Sequence, residues 1–301
     1  MATCWVRWGT GLLGMAIAVW GQAGGLRFRA AGPEFVFDTG VLRGKLREGG
    51  RATGLSRVEY VPQGIPLSSS MGLLSHYRVF TKGKRYGDGA WSWPGEAKLT
   101  PEGEVEVFWP ADAGRPFELG ARYRWREGNW VEVETRVRAI EELVDFESFL
   151  ACYFTKDFNF SAAWAGAPPG WVEAAPEHGA WQMFPRDSGA LALVRDGRWK
   201  IPPNPVDWAI RPELAAPIAL RRARDLGLAV VLMAAPQDCF AVATPRHQDP
   251  HNSLYLSLFG RTIRAGESAR ARASLAVISD SELGHIEAMY REWLSTLRNR
   301  R

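Results

Sequence analysis

The residues best equipped for chemistry cluster at 181–199, WQMFPRDSGALALVRDGRW. Two tryptophans, three arginines (Arg186, Arg195, Arg198) and two aspartates (Asp187, Asp196) flank one short apolar run at 190–194, which reads as a strand. Such a set suits a sugar. The C–H face of a sugar ring lies on Trp or Tyr, and its hydroxyls take paired hydrogen bonds from Arg and Asp. Three further segments concentrate polar and aromatic groups: His76, Tyr77 and Arg78 with Trp91 and Trp93; Arg221 and Arg222; and Arg246, His247, Asp249 and His251.

His76 is the leading candidate for proton transfer, because imidazole titrates near neutral pH. Strand alternation would present His76 and Arg78 on one side. Asp187 is the second candidate, as a general acid or base, although no partner carboxylate stands near it in sequence. Arg78, Trp91, Trp93, Arg186, Arg198, Trp199, His247 and His251 are the candidate substrate contacts, on walls formed by 181–199 and by His76 to Trp93. Each has a structural alternative. Large aromatics brace loops, arginine–aspartate neighbours tie loops to backbone, and Asp196-Gly197 is a tight-turn pair. His247 and His251 are four apart but have no third ligand, so no metal is expected. No phosphate loop, nucleophile elbow or cofactor motif is present.

The elements that must position these groups are strands. Period-2 alternation or apolar runs mark 54–61, 104–109, 117–125, 130–138, 146–154, 228–234, 239–244, 253–259 and 269–278. Segment 130–138, WVEVETRVR, alternates almost strictly, and the turn Arg126-Glu127-Gly128-Asn129 joins it to 117–125 as a hairpin. Helical periodicity appears only at 279–297. There Ser281 or Asp280 would cap the start, and Leu283, Ile286, Met289, Tyr290, Trp293, Leu294 and Leu297 share one face. The expected architecture is all-β with one C-terminal amphipathic helix.

Bulk properties narrow the class. Hydrophobic residues make up 46% of the 301, enough for a large core, and the net charge of +4 is small and unclustered apart from the last residues. Nucleic acid is therefore not an expected partner. The apolar run GLLGMAIAVW at 11–20, followed by Gly21-Gln22-Ala23, reads as a secretory signal over 1–23, and the protein as secreted or periplasmic. The alternative is an uncleaved anchor. No later segment could span a membrane. Residues 24–278 are expected to form one domain, with 279–301 as the helix and a basic tail. Cys152 and Cys239 permit a disulfide or two buried thiols, the simpler of the two.

The order of segments resembles the galactose-mutarotase-like β-supersandwich proteins. GLLSHYRVF before a Trp-rich loop, the hairpin FELGARYRWREGNWVEVETRV, the strand FESFLACYF and the ending around Ala265-Gly266-Glu267 carry the resemblance. It implies a large antiparallel fold with a sugar on a concave sheet face, and His76 and Arg78 at the matching early position. Active mutarotases carry a histidine just before a Tyr-Phe pair, where this chain has Ala151 and Cys152. They also carry a glutamate before the closing strands, where CFAVATP has no carboxylate. The resemblance thus argues against ordinary aldose mutarotation. The expected function is binding or processing of a mono-, oligo- or polysaccharide, with arginines holding hydroxyls or a uronate carboxylate. The alternatives are a non-catalytic structural module and a protein-interaction surface.

Overall fold

The computed structural model describes residues 26–47, 54–245 and 252–298. Three antiparallel sheets account for most of them. A five-stranded N-terminal sheet runs in chain order from Arg29–Ala31 through Glu34–Asp38, Leu42–Leu46 and Leu55–Tyr60 to Ile65–Pro66. A nine-stranded sheet is ordered Gly170–Glu173, Phe160–Ala165, Leu214–Ala223, Leu228–Ala234, Ser268–Ser279, Trp130–Ala139, Phe117–Glu127, Val105–Trp109, Glu96–Leu99. A seven-stranded sheet is ordered Ala209–Ile210, Trp181–Pro185, Cys239–Pro245, Ser253–Ile263, Leu143–Tyr153, Ser75–Thr81, Lys84–Arg85. Only the short pairing of Ala209–Ile210 with Trp181–Pro185 is parallel. The expected all-β sandwich with a C-terminal helix is present.

The alternating pattern dictates the layers. In Phe117–Glu127, Phe117, Leu119, Ala121, Tyr123 and Trp125 are buried, while the residues between them are partly exposed. That hairpin pairs in register with Trp130–Ala139 and slips once, between Trp125 and Glu127 beside the Gly128-Asn129 turn. Inward residues of both large sheets meet in one core, where Val107, Trp109 and Val133 face Val79, Leu150 and Val242, and Phe35 and Leu55 of the small sheet join them. Cys152 and Cys239 are free thiols within it.

The outer face of each large sheet is covered differently. On the nine-stranded sheet, Trp130, Leu220, Val231 and Ile278 are roofed by Ile286, Tyr290, Trp293 and Leu297 of the helix Ile286–Arg298. A 3₁₀ turn, Asp280–His285, precedes that helix. Its cap is Ser279, one residue earlier than expected, closing a reciprocal box with Glu282. On the seven-stranded sheet, aromatic residues cover the outer face instead. No helix among the described residues is long and apolar enough to cross a membrane.

Candidate functional site

The strand Ser75–Thr81 decides which residues reach the outer face. It pairs with Leu143–Tyr153 so that Val79 faces Ser148 and His76 faces Leu150. Tyr77 and Arg78 therefore stand opposite Phe149 alone, which is a β-bulge. A bulge breaks the period of two and re-aims the side chains beside it. Tyr77 and Arg78 both reach the outer face, while His76 turns inward. The strand is entered from Leu74, whose φ of 57° lies in the left-handed region. Two groups hold it there: the Tyr123 hydroxyl donates to the Leu74 carbonyl at 2.8 Å, and the Leu74 N–H donates to Cys152 Sγ at 3.2 Å.

His76 thus departs from the expectation that it shares a wall with Arg78. It is fully buried between the sheets, with Nε2 2.8 Å from Thr135 Oγ1 and its ring 5.3 Å from Trp109. Burial pulls its pKa down to about 3, so it is neutral and enclosed.

The outer face of the seven-stranded sheet carries a pocket of about 390 Å³ lined by eight aromatic side chains. Tyr77 and Trp91 stack at 4.3 Å and 7° on one side, with Tyr153 6.1 Å from Trp91. Phe149 stacks on Tyr255 at 4.6 Å. Trp199 meets Trp208 edge-on at 5.1 Å, and Trp181 meets Trp208 at 6.0 Å. Arg78 is the one charged residue in the lining among the described residues and is 4% exposed. Its guanidinium carbon lies 5.0 Å from the Tyr77 ring and 5.3 Å from the Trp199 ring. Arg78 Nη2 donates to the Asn204 carbonyl at 2.8 Å. Arg85 donates to the Pro203 and Asp88 carbonyls, so two arginines latch the proline loop at the rim.

A larger hollow of about 700 Å³ lies on the outer face of the nine-stranded sheet. Five of its charged side chains pair across strands, Arg122 with Glu106, Lys98 with Glu106 at 3.0 Å and Arg138 with Glu118 at 3.5 Å, and Arg136 pairs with Glu134 along its own strand. A self-paired polar surface presents few unmet groups. The aromatic pocket is the candidate site. Among the described residues, no three His, Cys, Asp or Glu side chains are grouped to hold a metal ion.

Residues 181–199 do not form one wall. Segment 190–194 is helical, within Ser188–Val194, because Asp187 caps it by accepting the Ala190 N–H at 2.8 Å. The hydrogen bond from Arg186 and that backbone N–H hold the Asp187 carboxyl below its usual range. Arg186 and Asp187 pair at 2.7 Å outside the pocket lining. Arg198 is fully buried behind the pocket, 3.0 Å from Glu147 and 2.7 Å from Asp196. It fixes the turn that delivers Trp199 to the pocket. Trp93 also misses the pocket: it packs against the main core under the Arg115 guanidinium at 4.1 Å. His247 and His251 lie outside the described residues. Arg78, Trp91 and Trp199 are therefore the expected contacts that the fold brings together. Tyr77, Phe149, Tyr153, Trp208 and Tyr255 join them. Phe149, Tyr153 and Tyr255 sit in apolar strand runs and read as core, so no local signal marked them.

Comparison with solved structures finds the same architecture elsewhere. The Slr1438 protein from Synechocystis sp. PCC 6803 superposes with a TM-score of 0.52 at 12% identity, over 86% of this chain and 98% of that one. A putative aldose 1-epimerase from Escherichia coli K12 gives 0.49 at 13% identity, over 81% and 98%. One from Klebsiella pneumoniae gives 0.46 at 10%, over 86% and 83%. No family model and no curated protein matches the chain by sequence. The likeness is one of fold. It agrees with the supersandwich architecture read from the segment order. At the position nearest the mutarotase histidine, Ala151 belongs to the pocket-side cluster, while Cys152 points to the inner core. Strand Cys239–Pro245 brings Ala241 and Ala243 to the pocket-side cluster. Among the described residues no carboxylate lines the pocket.

Proposed function

We propose that this protein binds a saccharide in the aromatic pocket of its seven-stranded sheet, and that it does so without mutarotating it. The observation that carries this reading is the lining itself: stacked aromatic faces, one buried arginine and, among the described residues, no acid–base pair. Aromatic faces take the apolar side of a sugar ring, and the phenols, indoles and guanidinium take its oxygens. Proton transfer at an anomeric centre needs a group that can accept and return a proton. His76, the first candidate for that role, is walled off on the other side of the strand. The residues expected to make contact are Tyr77, Arg78, Trp91, Tyr153, Trp199 and Tyr255. From the secretory reading of 1–23 we propose further that this binding takes place outside the cytoplasm.

The test is direct binding. Tryptophan fluorescence and calorimetry with a panel of neutral and acidic monosaccharides and short oligosaccharides are expected to give saturable binding. Polarimetry with α-D-glucose and α-D-galactose is expected to show no acceleration over buffer. A protein that binds no saccharide across the panel, or that mutarotates one at enzymatic rates, removes the reading.

A further inference from the structure

Within that reading, the pocket has a marked imbalance between donors and acceptors. Arg78 carries five N–H bonds. Nη2 uses its two on the Asn204 carbonyl and, at 3.4 Å, the Tyr77 hydroxyl. Nε and Nη1 are buried and have no acceptor among the described residues. The indole Nε1 atoms of Trp199 and Trp208, both in the lining, are likewise buried and without one. Among the described residues no carboxylate lines the pocket to balance the Arg78 guanidinium, whereas its neighbour Arg85 has Asp88 close by as well as its carbonyl partners. A buried guanidinium without a countercharge is costly, and so is each buried N–H left unmet.

We infer that the saccharide recognised here is acidic: a uronic acid whose carboxylate meets Arg78 while its ring lies among the aromatic side chains. The inference rests on the sugar-binding reading and adds the charge class of the ligand. A carboxylate supplies the negative charge that the guanidinium lacks, and a charge-assisted bond to Arg is among the stronger polar contacts. A phosphate ester would bring close to two charges to a wall whose one lining cation among the described residues is Arg78, since Arg85 stands outside the lining beside Asp88, with apolar and aromatic surface around it. A carboxylate matches that single charge.

Matched pairs of methyl glycosides test this by calorimetry on the wild-type chain: glucuronide against glucoside, and galacturonide against galactoside, with glucose 6-phosphate as a third arm. At least one uronide is expected to bind ten-fold or more tighter than its neutral partner, and tighter than the phosphate. Arg78→Gln is expected to abolish that preference, weakening the uronide ten-fold or more and the neutral glycoside less than three-fold. Arg78→Lys, which keeps the charge, is expected to retain part of it. Circular dichroism and the melting temperature check that both variants fold, and the wild-type comparison stands if either does not. Equal affinity within both pairs, tighter binding of the phosphate, or an equal loss for both ligands in a folded Arg78→Gln protein overturns the acidic-sugar inference while leaving sugar binding intact. Binding of no glycoside in any arm overturns the sugar reading beneath it as well.

Discussion

At the residue scale, exposure separates the groups that serve the fold from those that face a ligand. His76 is held neutral in the folded state, whereas the unfolded chain takes up a proton below about 6.5. Its contribution to stability is therefore intact above 6.5 and is lost as the pH falls from 6.5 toward 3. The slope is about 1.4 kcal/mol per pH unit across that window. Urea denaturation between pH 7.5 and 5 is expected to show this loss, and His76→Gln to flatten it. An unchanged slope in the variant would assign the pH dependence to another group. Trp91 is the counterpart toward the surface, partly buried and stacked on Tyr77. Trp91→Ala is expected to weaken saccharide binding by roughly five- to twenty-fold, about 1–2 kcal/mol, with little change in melting temperature. Loss of stability without loss of affinity would make Trp91 a brace and not a contact.

At the element scale, short devices set which face each side chain takes. The bulge at Tyr77 and Arg78 sends two consecutive residues outward and leaves His76 in the core. The capped helix Ser188–Val194 removes Arg186 and Asp187 from the pocket and makes Asp187 a structural group. Asp187→Ala is accordingly expected to cost about 1 kcal/mol of stability, the usual loss for an N-cap, and to leave saccharide affinity unchanged. A collapse of affinity with stability intact would return Asp187 to the site. The helix Ile286–Arg298 seals the back of the nine-stranded sheet through Trp293, which is fully buried and donates its indole N–H to Glu132 at 3.0 Å. Trp293→Ala is expected to cost about 3–5 kcal/mol by the melting or denaturant midpoint.

For the whole molecule, two large sheets share one core but finish their outer faces differently. One face is closed by a helix from the same chain, the other by aromatic side chains around a pocket. Truncation after residue 285 would uncover Trp130, Leu220, Val231 and Ile278 together. A contiguous apolar patch of that kind favours association. The truncated chain is expected to bind an apolar dye and to elute as aggregate in size-exclusion chromatography. A monodisperse, dye-free product would show that the sheet does not depend on the helix. The pocket, supported from the far side by the inner core, is expected to lose its ligand only when the chain as a whole unfolds.

Local sequence alone determined the central hairpin and the amphipathic end of the chain. Alternation in 117–125 and 130–138 and the three- and four-residue spacing from Ile286 to Leu297 are set by neighbours along the chain, so they were legible without a fold. The residue types at the positions the resemblance singles out, Ala151 and Cys152 and the carboxylate-free CFAVATP, were legible too. What only the tertiary structure decided was which side of each strand faces which layer. One extra residue at the bulge inverted the expected relation of His76 and Arg78. Asp187 turned 190–194 from strand to helix by taking a backbone N–H three residues on. Phe149, Tyr153 and Tyr255 carry the apolar signature of core strands, yet they form the pocket. In this fold the outer face of the seven-stranded sheet is itself apolar, and hydrophobicity along a strand does not say which of two buried faces opens onto a cavity.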